Sequence, residues 1–381
     1  MANPFSSIFG KIMSSATPSS GSVLGIDIGS SALKVVQLKK KGGRAILETY
    51  GELSLGPYGG VEIGRATNLQ AGKLAEALGD LLKESKTSTK TAALSIPVSA
   101  SLITFITMPA VGEKQLAQMI PIEARKYIPV PISEVSLDWL TVPQEDRIIS
   151  EDEDASMPGY SQTAKGERVE VLLVVIHNEA IARNKEIVSN LSLSATFSEI
   201  ETFSTIRASL DQGIAPVLIC DLGAASTKLY IVERGLLRNS HTINRGAQDI
   251  TIAISKSLGI SMDEAENLKR EYGLLHTGNS RNIGEATRLT LDYIFAEVGR
   301  VILNFQKRHN KNIGRIVLSG GGALLKGLRE VASANFQTEV ELANPFGKVE
   351  APAFLNDVLR TAGPEFATAI GLAIRKLQEL G

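Results

Sequence analysis

What most restricts the fold of this 381-residue chain is a repeat inside it. Asp27-Ile28-Gly29-Ser30-Ser31-Ala32-Leu33-Lys34 aligns, at a constant offset of 194, with Asp221-Leu222-Gly223-Ala224-Ala225-Ser226-Thr227-Lys228. An apolar run precedes each copy (23–26 and 217–220) and another follows it (35–38 and 229–232). Strand, Asp-x-Gly turn, strand, written twice, describes a duplicated α/β domain with two facing hairpins. Either copy alone is an ordinary hairpin turn. The second copy in the same context gives the motif its weight.

Hairpins of this kind suit a phosphate. Glycine lets the backbone turn tightly and brings successive N–H groups towards an anion. Ser30, Ser31, Ser226 and Thr227 add hydroxyl donors, and Lys34 adds a compact cation. Asp27 and Asp221, facing one another, would hold the waters of a Mg2+ that itself contacts phosphates. A third element, residues 316–325, reads as a buried strand, the turn Gly320-Gly321-Gly322-Ala323, and the start of a helix whose N-terminus favours negative charge. In a fourth, the helix from Asp263 to Tyr272, Glu266 and Lys269 share a face at i, i+3 and reach towards ribose and base. A surface ion pair accounts for those two equally well. The chain has no G-x-x-x-x-G-K-[ST], which rules out a P-loop.

Between the repeats, hydrophobic spacing predicts strands at 45–53, 92–96, 102–108, 134–142, 169–176 and 195–200. It predicts helices at 70–84, 113–127, 179–191 and 201–210. Lys39-Lys40-Lys41-Gly42-Gly43-Arg44 reads as a solvated hairpin tip. Residues 144–167, with Glu151-Asp152-Glu153-Asp154, read as an acidic loop.

Composition narrows the function. With 40 Lys+Arg against 41 Asp+Glu, the net charge of -1 lacks the basic excess of a dedicated nucleic-acid binder. Cys220 is the single cysteine, which excludes an intrachain disulfide and fits a reducing cytosol. No apolar run approaches the ~18 residues of a membrane span. Phe5, Ile8, Phe9, Ile12 and Met13 fall at helical spacing, so residues 5–13 are a candidate membrane-interface or docking helix. A frayed terminus is the plainer reading.

These elements, in this order, resemble the actin-like ATPase superfamily of actin, the DnaK-type chaperones, sugar kinases and FtsA. They most resemble the PilM family of type IV pilus assembly. The resemblance rests on 27–34, on Leu94-Ser95-Ile96-Pro97, and on Asp221-Leu222-Gly223. It also rests on Asn244-Arg245-Gly246-Ala247-Gln248-Asp249, on 318–323, and on Phe366-Ala367-Thr368-Ala369-Ile370-Gly371. The segment Glu123-Ala124-Arg125-Lys126-Tyr127-Ile128-Pro129 singles out PilM. The resemblance covers about residues 22 to 378.

The resemblance implies an α/β, ribonuclease H-like duplicated fold with a small inserted α+β subdomain in its first half. The subdomain bounds it implies are 22–99 with 169–213, the insert 100–168, then 214–246 with 313–381, and 247–312, after a flexible segment 1–21. It implies ATP and Mg2+ as cofactors. The nucleotide then meets Asp27, Gly29, Ser30, Ser31, Lys34, Asp221, Gly223, Ala224, Ala225, Ser226, Thr227, Gly246, Glu266, Lys269 and 320–323. Implied too are a cytoplasmic place at the inner membrane and a groove for the N-terminal tail of a PilN-like membrane protein. Contacts with pilus motor ATPases and platform proteins follow from the same likeness, and self-association stays open. Pro129 to Pro131 and Trp139 are candidate groove residues, with core packing the plainer account of Trp139.

Two departures bear on chemistry. Ala224-Ala225 replaces the Gly-Gly of many superfamily members, which sets phosphates further from the amides. Glu201 stands where DnaK-type chaperones have a water-orienting glutamate, and capping of its own helix explains it equally well. The expectation is tight nucleotide binding with slow or negligible turnover. An FtsA-like filament protein and a small-molecule kinase are the alternatives. FtsA-like chains end in an amphipathic targeting helix, whereas 370–380 reads as a packed one. Kinases of this fold need a catalytic Asp and a larger insertion. Type II secretion platform proteins share the fold but continue into a membrane span.

Overall fold

A computed structural model describes residues 21–142, 168–275 and 281–380. The acidic loop and the candidate helix at 5–13 lie outside the described residues. The chain divides into a small unit (Ser99–Ile181) and a large one, described from Gly21 to Val98 and from Ala182 to Leu380.

The large unit begins with β1 (Ser22–Ile28), β2 (Ala32–Lys41), β3 (Arg44–Ser54), α1 (Ala71–Glu84) and β4 (Thr91–Ile96). All seven residues of β1 are buried, as expected of a central strand covered on both faces. In α1, Leu74, Leu78 and Leu81 form one buried stripe with Ala71, Ala75 and Ala77. The turn between β2 and β3 is Gly42-Gly43 alone. Lys39 to Lys41 therefore lie in β2 rather than in a hairpin tip.

The small unit holds β5 (Ser101–Pro109), α2 (Glu113–Ala124), β6 (Val135–Val142) and β7 (Arg168–His177). Its antiparallel sheet has the order β5-β7-β6. β7, which the resemblance assigns from residue 169 to the first actin-like subdomain, is thus the central strand of the small sheet. β5 and β6 flank it in the sheet, and α2, through Leu116, Ile120 and Ala124, covers the face that carries Val171, Leu173 and Val175. Trp139, Val130 and Ile132 each pack, partly buried, against this core.

The chain continues through α3 (Asn178–Asn190), β8 (Ser194–Ile200) and α4 (Glu201–Ser209). Next come β9 (Val217–Leu222), β10 (Thr227–Glu233), β11 (Leu236–Ile243), α5 (Ala247–Leu258), α6 (Met262–Tyr272) and α7 (Arg281–His309). It ends with β12 (Arg315–Ser319), α8 (Leu328–Phe336), β13 (Glu339–Leu342), α9 (Asn356–Ala362) and α10 (Ala367–Glu379). The large unit contains two five-stranded sheets, β3-β2-β1-β4-β8 and β11-β10-β9-β12-β13. Their orders match position by position, and so do their antiparallel and parallel pairings. The eight-residue repeat is the visible part of a duplication of the whole sheet.

The C-terminal helix α10 lies against β1 and α4 at backbone distance. A β-carbon on Gly25 would stand 2.0 Å from the Ala369 carbonyl, and one on Gly371 2.0 Å from that of Ser204. Glycine is needed at both positions because nothing larger lets the elements meet. No helix among the described residues is long and apolar enough to cross a membrane.

Candidate functional site

Within the large unit a cavity of about 360 Å³ is lined by the turns of both repeats, β3, α5, α6, the turn after β12 and the segment leading into α10. The two turns are built alike. Gly29 N–H donates to the Ala32 carbonyl at 3.1 Å and Gly223 N–H to that of Ser226 at 3.0 Å. Each turn fixes the same register behind it, so Asp27 stands opposite Lys34, and Asp221 opposite Lys228. Leu55 and Thr67 amides brace the first turn by donating to the Ser31 and Ser30 carbonyls, both at 2.8 Å. The second turn is braced by α5, whose Ala247 and Gln248 amides donate to the Gly223 and Ala224 carbonyls. Gly246 packs against that turn without lining the cavity, and a β-carbon there would stand 2.4 Å from the Ala224 carbonyl.

Asp27, Gly29, Ser30, Ser31, Lys34, Glu201, Asp221, Gly223, Ala224, Glu266, Lys269 and Gly320 to Gly322 all line this cavity. Ala225, Ser226, Thr227 and Ala323 do not. Thr227 is fully buried and donates its hydroxyl to the Arg245 carbonyl at 2.8 Å, so it holds β10 to the loop before α5. Ala323 is buried in the core of the second sheet. After β12 the sequence reading expects an α-helix N-terminus, but residues Gly321–Leu324 form one 3-10 turn and α8 starts only at Leu328. The Gly320 amide is instead committed to the Pro364 carbonyl at 2.8 Å, which ties the glycine turn to the approach to α10.

Charge is concentrated at two places. At the hairpin end Lys228 Nζ lies 2.6 Å from Glu201 Oε2 and 3.6 Å from Asp221 Oδ2. The other Glu201 oxygen accepts the Val98 amide at 2.8 Å. Glu201 therefore does not cap α4, whose N-cap is Ile200. Each of its oxygens already accepts one hydrogen bond from the protein, which holds the carboxylate in place. Burial works against charge on Lys228, but Glu201 and Asp221 outweigh it and raise its pKa well above the ordinary lysine value. Burial pushes the Asp27 carboxyl up to about 6 against the pull of Lys34. At the far end Glu266 and Lys269 pair at 2.6 Å, both buried, and Thr251 donates to Glu266 at 2.7 Å. They are not a surface pair, since α5 covers one side. Burial opposes charge on Glu266, but Lys269, Thr251 and Arg270 outweigh it and lower its pKa.

Sequence reasoning missed several lining or supporting groups, four of them charged or hydrogen-bonding at the hairpin end. Lys228 was present in the repeat, since the 194-residue offset carries Lys34 onto it. Ser95 accepts the Ile28 amide at 2.8 Å and bonds Asp27. Glu52 pairs with Lys34 at 3.2 Å, and Glu365 lies beside both. Burial first, then the Glu52 charge, raises Glu365 to about 7. A carboxyl raised by folding stabilises the fold below its ordinary pKa, and that contribution is lost as pH rises through the folded value. The nucleotide-free protein is expected to lose roughly 1–2 kcal/mol between pH 5 and pH 8 from this group. Melting curves across that range should show the fall, and Glu365→Gln should make it shallower. Equal slopes in the two proteins would refute the assignment.

The cleft fits a nucleotide better than a protein-bound metal. Glycines stand where side chains would fill it, since a β-carbon on Gly64 would meet the Glu266 carboxylate at 2.8 Å and one on Gly322 the Leu222 side chain at 2.8 Å. Two lysines face its hairpin end. Among the described residues no group of three or more His, Cys, Asp or Glu is placed to hold a metal ion.

A model of the family described as "Type IV pilus assembly protein PilM" matches residues 25–377. The chain is similar to a solved "PilM-PilN type IV pilus biogenesis complex" with a TM-score of 0.75 and 26% identity, over 93% of this chain and 98% of the other. The ethanolamine utilization protein EutJ from Carboxydothermus hydrogenoformans shares the fold, with a TM-score of 0.53, 15% identity, and 96% and 92% coverage. The cell division protein FtsA of Neisseria meningitidis is 26% identical over 277 residues, 66% of this chain and 64% of that relative. The chain thus spans just under two-thirds of the length of that curated relative.

Proposed function

The chain belongs to the family of type IV pilus assembly proteins PilM, and from that premise we propose that it is an ATP-binding scaffold of the pilus assembly platform. The observation that carries the reading is the convergence of both repeat turns, the Gly320 turn and Lys34 and Lys228 on one cavity. Backbone amides and lysines at the hairpin end suit phosphates, and the Glu266–Lys269 end suits ribose and base. Mg2+ would come to the site on the phosphates, held through water by Asp27 and Asp221. Slow or negligible hydrolysis is the turnover proposed, supported by Lys228 and the Val98 amide holding Glu201 in a protein-internal contact.

The partner proposed is the N-terminal cytoplasmic tail of a PilN-like membrane protein, which sets the protein at the cytoplasmic face of the inner membrane. Pilus motor ATPases and other platform proteins complete the assembly by family likeness. ATP contacts both sheets of the large unit and so favours one arrangement of them, which is how bound nucleotide would bias partner binding. Calorimetric titration of the full chain with ATP, and of a synthetic PilN-like tail with and without ATP, tests this. Saturable binding of both is expected. Absence of tail binding in either state removes the scaffold reading, and ATP turnover of tens per second that Asp221→Ala abolishes favours the kinase alternative.

A further inference from the structure

A polyphosphate entering this cleft meets Asp27, Glu201 and Asp221 at the hairpin end, with Glu52 and Glu365 beside Lys34. Each adds repulsion that a cation must offset, and the effect is large where side chains are buried. One such cation is part of the chain. The Lys228 ammonium stands between Glu201 and Asp221, with its side chain 15% exposed, and the register of β9 and β10 fixes it there as the counterpart of Lys34 beside Asp27. Around Asp221 itself, Glu201 and Asp221 against Lys228 leave one net negative charge. Without Lys228 there would be two.

Resting on the nucleotide reading above, we infer that Lys228 supplies from the protein the positive charge that a divalent ion otherwise supplies beside Asp221, so that ATP binding depends little on metal. Lys228 is a binding residue by this account and fixes the cofactor requirement of the site. The engagement of Glu201 follows from the same contact.

The test is calorimetric titration of the full chain with ATP in excess MgCl2 and in EDTA. For the unaltered protein, Kd is expected to change by less than about tenfold on metal removal. Lys228→Met is expected to lose more than about a hundredfold in EDTA and to recover binding when Mg2+ is restored. Lys228→Arg, which keeps the charge, retains the metal independence. A loss of more than tenfold by the unaltered protein in EDTA overturns the inference, and that comparison needs no variant to fold. Metal-independent binding by Lys228→Met overturns it as well. No ATP binding by the unaltered protein in either buffer overturns the nucleotide reading itself, and this inference with it.

Discussion

Gly320→Ala is expected to weaken ATP binding by at least about a hundredfold, or about 2.7 kcal/mol. Gly320 has φ +81°, a left-handed conformation that side chains strain. A β-carbon there would stand 2.4 Å from Asp221 Oδ1 and 2.6 Å from the Leu222 carbonyl. Neither neighbour has room to yield. Leu222 is backbone at the end of β9, and Asp221 is buried beside Lys228. The substitution therefore moves the acid and the glycine turn together. Gly321→Ala is the matched control. Its β-carbon would meet only Glu365 Oε2, at 3.7 Å, an ordinary contact. It should stay within about tenfold of the unaltered protein. Titration of both variants checks this, with melting curves to show that each is folded. Equal affinities for the two would mean that the turn does not set the site.

The second large effect concerns stability. Glu199 is 3% exposed, and its two oxygens accept from both terminal nitrogens of Arg207 at 2.8 Å, from Arg375 at 2.5 Å and from the Ser204 hydroxyl at 2.5 Å. Arg375 also lies over the Phe197 ring at 4.4 Å. Burial opposes the Glu199 charge, but Arg207 and Arg375 outweigh it and hold the carboxyl down at about 2. Glu199→Ala leaves two guanidinium groups without their shared anion. A loss of about 3–5 kcal/mol in the free energy of unfolding is expected, as for other buried pairs broken on one side. Denaturant titration measures it. A loss below about 1 kcal/mol would show that the network does not fasten α10 to β8 and α4. Because the folded pKa lies below the ordinary value, the Glu199 contribution is full at neutral pH and disappears as pH falls towards 2. This is opposite in sign to the Glu365 effect. Stability of the nucleotide-free protein should accordingly peak on the acid side of neutrality.

Much of the hairpin end was legible because it is local. Asp27 meets Lys34, and Asp221 meets Lys228, across a single turn, and a hairpin of fixed turn length fixes its register. The same alternation of apolar runs placed α1, β4, α4 and α6 to within a few residues. It overran α2, which ends at Ala124. It also set an α-helix after Gly322, where the chain makes only a 3-10 turn. Three glycines announce a tight turn but not which helix follows it.

The rest came from parts of the chain that no period connects. Glu201 finds Lys228 and Val98, Glu365 finds Lys34 and Glu52, and Gly320 finds Pro364. Taken by itself, the sequence determined a duplicated α/β fold, its two acid-turn-lysine hairpins and the glycine turn. Local steric rules and cross-strand pairing act over a few residues, so a repeated motif records them. The tertiary structure alone decided that Glu201 is engaged rather than free, that Glu266 and Lys269 are buried, and that Thr227, Gly246 and Ala323 support the cleft without facing it. Those outcomes depend on how α5, α6 and α10 pack around the two sheets. Packing is set by volume and burial summed over the whole domain, which no single stretch of residues encodes.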